Sequence, residues 1–283
     1  MNKQDKWLYE ITPKNNLLDL NLKEVWKYRD LLFLFVKRDV ITLYKQTILG
    51  PLWYIIQPLF TSIIFTIIFN NVAGIKTPGM PSFLFNLAGI TSWNYFKECL
   101  IGTSDTFKKN QNIFGKVYFP RIIMPLSVVV SNLTKFGIQL IILIAFYLYY
   151  VLTGWDIKPN IYILMYPILV LLMASFGLGL GMIISSMVTK YRDLSFLVSF
   201  GVSLLMYISL VNLPYQKFQE NGLEWLVDFN PMAHLVDMSR FMLIGVGNFT
   251  VFSFVYTTLV SLIVLIIGVF IFNKTEKSFI DTI

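Results

Sequence analysis

Lys97, Glu98 and Lys135 are charged side chains set inside long apolar runs. A charge at the centre of a bilayer costs at least about 2.5 kcal/mol, so such groups face protein or water and pair with one another. Lys97 and Glu98 are adjacent, so they lie on different faces of a helix and do not pair together. Two readings of Lys97 stand side by side. Its long stem carries the ammonium to the nearest interface, or it lines a path for an anionic substrate. Lys135 sits deeper in its run, and Glu98 of the neighbouring run is its available counter-charge.

Other chemistry is sparse. His234 is the one histidine and has no ligand partners at metal-site spacing, so no metal site is expected. Cys99 is the one cysteine, which excludes an intrachain disulfide. Gly115-Lys116 is followed by Val117, with no G-x-x-x-x-G-K-[ST] around it, so no phosphate cradle is present and the chain hydrolyses no nucleotide by itself. The loops hold neither paired carboxylates nor a nucleophile–histidine set. No cofactor is expected on this chain.

Aromatic residues make up 16% of the sequence. Trp53, Trp93, Trp155 and Trp225 fall near run ends, where interfacial belts form. The other reading is a polar and aromatic path lined by Tyr54, Trp93, Tyr95 and Phe96, near Gln57, Asn86 and Asn94.

The elements that position these residues follow from composition. The 283 residues are 56% hydrophobic and 14% charged, with mean hydropathy +0.65. A soluble domain carries roughly 25% charge, so the chain is an all-α integral membrane protein. Six apolar runs are each long enough to span: 52–72, 83–107, 122–151, 161–188, 194–213 and 251–272. They do not alternate as barrel strands would. Seventeen lysines and arginines precede the first run, follow the last, or lie in the loops after the second and fourth; only four lie in the alternate loops. Cations stay cytoplasmic, so both termini are expected there. The net charge of +7 then suits anionic lipid headgroups and needs no nucleic acid.

Residues 21–46 predict an amphipathic helix on the membrane surface. Leu22, Val25, Trp26, Leu32, Phe33, Val36, Val40 and Leu43 form its apolar face, and Asn21 with Glu24 resembles a capping box. Residues 1–50 are thus a cytoplasmic region and 51–283 a transmembrane domain. Residues 104–121 predict a short helix ending near Gly115, then a break at Pro120. Gly177 and Gly181 form a G-x-x-x-G pair that suits close helix packing. Residues 216–248 predict short re-entrant helices before the last span, the second starting at Asn230-Pro231. Arg240 in that segment either contacts a substrate or caps a helix end.

Four ordered stretches resemble the type-2 ATP-binding-cassette permeases that export polysaccharides: O-antigen, capsule and teichoic acid. They are RDVITLYKQTILGPLWYIIQPL (38–59), KVYFPRIIMPLS (116–127), YRDLSFLV (191–198) and FNPMAHLVDMSRFMLIG (229–245). The resemblance implies a subunit of a bacterial inner-membrane exporter of lipid-linked polysaccharide. It implies a homodimer with twelve spans and two copies of a separate ATPase subunit, which holds the ATP and Mg. The turn between spans two and three then carries a coupling helix, with Asn112, Lys116, Phe119, Pro120 and Arg121 at the ATPase interface. Arg38 joins them, and Tyr191, Arg192 and Asp193 form a second contact. Tyr54, Gln57, Trp93, Asn94, Tyr95, Phe96, Lys97, Lys135 and Arg240 are the candidates for the substrate path. The competing readings are a permease of the same fold for small drugs or lipids and a membrane-embedded glycan-processing enzyme.

Overall fold

A computed structural model describes residues 22–45, 48–77, 79–114, 119–157, 160–191 and 193–280. Among these, all regular structure is helical. α1 (Leu22–Lys27) and α2 (Arg29–Lys45) lead through a short turn into α3 (Trp53–Phe65), which continues as a wider π stretch over Thr66–Val72. α4 (Ser82–Ser104), α5 (Thr106–Phe114) and α6 (Ile123–Leu152) follow, then α7 (Tyr166–Lys190) and α8 (Leu194–Tyr207). Three shorter helices, α9 (Tyr215–Glu220), α10 (Glu224–Asp228) and α11 (Pro231–Ile244), precede α12 (Val251–Ile280).

α1 and α2 occupy the expected surface-helix segment; the Asn21 cap lies outside the described residues. The buried face differs from the expected one. Phe35 is buried, with Val25, Leu31 and Leu32 packed beside it, whereas Trp26 and Phe33 are exposed. Residues 31–36 are apolar without interruption, so spacing alone does not select a face. Packing against α6 and the ring of Phe119 does.

Four helical stretches are long and apolar enough to cross a membrane: Gly50–Val72, Ile123–Leu152, Ile161–Lys190 and Val251–Glu276. The other two expected spans take different forms. α4 has 23 residues, about 35 Å of rise, but it is polar in places and mostly buried within the subunit. Its neighbours meet part of this polarity: Asn86 donates to Thr66 and Asn70, and Ser92 pairs with Ser239 at 2.8 Å. α8 has only 14 residues, about 21 Å, short of a roughly 30 Å hydrocarbon core.

α7 is central because glycine lets two helices close on it. Gly177 and Gly181 face α4, where a Cβ on Gly181 would fall 2.8 Å from the Leu100 carbonyl. On the opposite face, a Cβ on Gly179 would fall 2.8 Å from Leu265 Cα, and one on Gly268 would strike the Gly179 backbone. Both obstacles are main chain and do not yield. Gly268→Leu is therefore expected to force α7 and α12 apart and to destabilise by about 3 kcal/mol, the upper range of overpacking. Gly137→Ala, at a helical site open to space, is expected to be neutral or slightly stabilising. Thermal unfolding in detergent measures both.

The short helices after α8 are fixed by local chemistry. The Asn230 side chain accepts the Met232 N–H at 3.0 Å, Pro231 takes the first turn, and Gly245 closes α11 at φ 75°. Asn230-Pro231 thus starts the third of these helices rather than the second.

Candidate functional site

The stretch from α5 to α6 forms an elbow at one end of the bundle. Asp105 ends α4, and α5 stops near Gly115, as the sequence requires. Lys108 and Lys109 point outward, and Asn112 lies on the last turn of α5. Lys116 lies outside the described residues. The inward side of the elbow is anchored at several points. Phe107 is buried and stacks on Phe272 of α12 at 4.6 Å. Phe119 is buried against Phe35 of α2 at 5.8 Å. Arg121 turns in toward α12, its Nε 3.6 Å from a Glu276 carboxylate oxygen and its Nη1 3.3 Å from the Glu276 carbonyl. Burial lowers the Arg121 pKa from its ordinary value, and Glu276 pushes it back up.

Phe119 and Arg121 therefore brace the elbow, with Pro120 half-buried between them, rather than presenting their tips outward. The brace ties α5 and α6 to both α2 and α12. Packed side chains back the exposed face of α5. Lys108 and Lys109, the exposed cations of that face, were legible only as topology signals. Tyr191 and Asp193 are exposed at the α7–α8 turn, with the Lys190 ammonium over the Tyr191 ring at 5.3 Å. Arg192 lies outside the described residues.

Two of the charges within the spans, Glu98 and Lys135, pair with each other. Lys135 Nζ donates to Glu98 at 2.8 Å, with the Lys135 side chain 18% and that of Glu98 41% exposed. The Tyr54 ring lies 5.4 Å from the same ammonium. Beside the pair runs a groove of about 470 Å³, walled by Arg38 and Thr42 of α2, Lys109 of α5, and Ser131 and Lys135 of α6. It extends along α6 from the elbow to Lys135, twelve residues or about 18 Å into the helix. Arg38, expected at a docking surface, forms part of this wall and holds Asp39 at 2.8 Å.

The other path candidates separate into two groups. Gln57 is exposed, and Asn94 and Lys97 are half-buried, with Asn94 donating to Gln139 at 3.4 Å. Trp93, Tyr95 and Phe96 are packed in the core instead, Tyr95 on Phe136 at 4.9 Å and Phe96 stacked on Phe176 at 5.4 Å. A chain passing the subunit does not meet them in this structure. Their types suited a lining, but α4 is enclosed by α3, α6, α7 and α11. Trp53, Trp155 and Trp225 are exposed, as belt residues are.

Arg240 is fully buried. Its Nε donates to Phe85 O at 3.2 Å, Nη1 to Leu210 O at 2.5 Å, and Nη2 to Val211 O, while its guanidinium lies 3.7 Å over the Phe85 ring. Asn230 donates to the Ile208 carbonyl at 3.1 Å and to Ser209 at 2.9 Å. The acceptors from Ile208 to Val211 lie where the fifth expected span stops being helical, with Leu210 at φ 54°. Buried backbone outside a helix needs partners, and Arg240 and Asn230 supply them. Of the two readings of Arg240, the geometry supports the helix-end cap.

The chain was compared with known proteins. The ABC-2 type transporter family matches residues 30–244. An O-antigen export system permease protein from Klebsiella pneumoniae is 29% identical over 254 residues, covering 89% of this chain and 94% of its own. A protein of the same name from Myxococcus xanthus is 28% identical over 216 residues, covering 76% and 80%. A polysialic acid transport protein from Escherichia coli is 22% identical over 248 residues, covering 87% and 93%. With the family pattern spanning most of its length and its helices built to cross a bilayer several times, the chain is a multi-pass membrane protein that belongs to the ABC-2 type transporter family.

Proposed function

We propose that this chain is the permease subunit of an ATP-driven exporter that moves lipid-linked polysaccharide across the bacterial inner membrane. The observation that carries this reading is the α5 elbow. It presents exposed Lys108 and Lys109 outward and is tied to α2, α6 and α12 by Phe107, Phe119 and Arg121. Such an elbow receives force from a soluble partner and passes it to the spans. The names of the relatives, O-antigen and polysialic acid transport proteins, supply the class of cargo.

In this reading the chain crosses the membrane six times with both termini cytoplasmic, as its distribution of cations favours. α4 is the second crossing and α8, with its capped extension, the interrupted fifth. Residues 1–50 are the cytoplasmic region and 51–283 the transmembrane domain. Two copies of the chain pair to give twelve spans, and each takes one ATPase subunit at α5 and at the turn around Tyr191 and Asp193. ATP and Mg are held by that partner. The test is reconstitution in liposomes with and without the ATPase subunit. Lipid-linked glycan is expected to become accessible on the far side only with the ATPase and ATP. Turnover of glycan by the chain alone would replace this reading with an enzyme.

A further inference from the structure

We propose that the groove between α2, α4, α5 and α6 binds the phosphate headgroup of a lipid. The inference rests on the export reading only for which face of the membrane the groove opens to. Its volume of about 470 Å³ falls within the roughly 300–1,000 Å³ of small-molecule sites. Three cations from three elements line its wall, Arg38, Lys109 and Lys135, each neutralised by one carboxylate. Each cation now rests on a single carboxylate oxygen: Arg38 on Asp39, Lys135 on Glu98 at 2.8 Å, and Lys109 on Asp105 at 3.1 Å. A phosphate replaces such partners well, because it offers several oxygens to cations at once and matches the arginine fork.

The neutral part of the wall adds to this. The Thr42 and Ser131 hydroxyls donate to the Arg38 and Ser127 carbonyls of their own helices, so they face the groove as acceptors. They suit the hydroxyls of a sugar or glycerol attached to the phosphate. Ile101, Ile113 and Val128 form an apolar side, and α1 and α2 expose Trp26, Phe33 and Leu34, as interfacial helices do. The ligand is therefore a headgroup with its tail in the bilayer, drawn along α6 toward Lys135. Two sources share this chemistry: the lipid that carries the glycan, and ordinary anionic phospholipid.

The test uses the full chain in nanodiscs of phosphatidylcholine and equilibrium binding of radiolabelled farnesyl diphosphate. Binding is expected to saturate. Arg38→Gln and Lys109→Gln are each expected to weaken it about tenfold, the scale of one charge-assisted hydrogen bond. Glu98→Gln frees Lys135 without removing a cation and is expected to tighten binding about threefold, which a damaged fold does not do. Competition by phosphatidylglycerol as strong as by unlabelled probe assigns the site to ordinary phospholipid; weak competition assigns it to the glycan carrier. Either result keeps a lipid phosphate site. Absence of saturable binding, equal competition by inorganic pyrophosphate, or weaker binding in Glu98→Gln overturns the proposal. The assay contains no ATPase and no transport step, so its failure leaves the export reading standing, and failed export leaves a binding result intact.

Discussion

Arg240→Met is expected to destabilise the folded chain by about 3–5 kcal/mol, the cost of breaking a buried charged network by removing one partner. The substitution leaves the Leu210 and Val211 carbonyls buried without their donors, each worth about 1–3 kcal/mol. It also removes the cation from the face of Phe85 and the counter-charge of Asp237. Arg240→Lys keeps a charge but loses the planar fork, and it is expected to recover less than half of the loss. Gly89→Ala attacks the same lock from the other side, since its Cβ would meet the Arg240 guanidinium and fall 2.5 Å from the Val211 carbonyl. Thermal unfolding in detergent gives the stability, and limited proteolysis reports cutting at residues 208–214. A stable Arg240→Met chain that has lost export would instead make Arg240 a substrate residue.

The second large effect is expected at the elbow. Arg121→Glu sets a carboxylate against Glu276, 3.6 Å away in the native pair. Membrane insertion and folding are expected to survive, because the site lies in the turn before α6 and not within it. Export is expected to fall at least tenfold while the ATPase continues to turn over, a coupling loss on the scale of 1–3 kcal/mol. The reciprocal change Glu276→Arg in the same chain is expected to restore much of the export, since it rebuilds the pair in reverse. Full export in Arg121→Glu, or no rescue by the second change, would remove the brace from the mechanism.

Much of the fold was legible because length and apolarity decide it. α6 and α12 follow from long apolar runs, that of α6 interrupted only by Asn132, Lys135 and Gln139, and α5 from the polar residues after Ser104 with the glycine and proline signals beyond. The Glu98–Lys135 pair was legible because two charges inside neighbouring runs have few other partners. The end of α8 was not. Residues 207–213 stay mainly apolar, and the break is fixed by Asn230 and Arg240, which meet Ser209 and Leu210 from 21 and 30 residues further along. Nor was the inward turn of Phe119 and Arg121, whose partners Phe35 and Glu276 lie far away in sequence. Trp93, Tyr95 and Phe96 show the limit of residue type as a guide: rings that suit a sugar path equally suit a core, and the crowding around α4 decides for the core.

One cross-linking measurement shows directly where force enters the permease. Lys108→Cys places a thiol on the exposed face of α5, while the native Cys99 is buried and silent. In inside-out membrane vesicles carrying the assembled transporter, a short thiol–amine cross-linker is expected to join this position to the ATPase subunit. An impermeant maleimide is expected to reach it from the cytoplasmic side alone. Labelling from the outer side, or a position that never captures the ATPase in an actively exporting complex, would contradict the central claim.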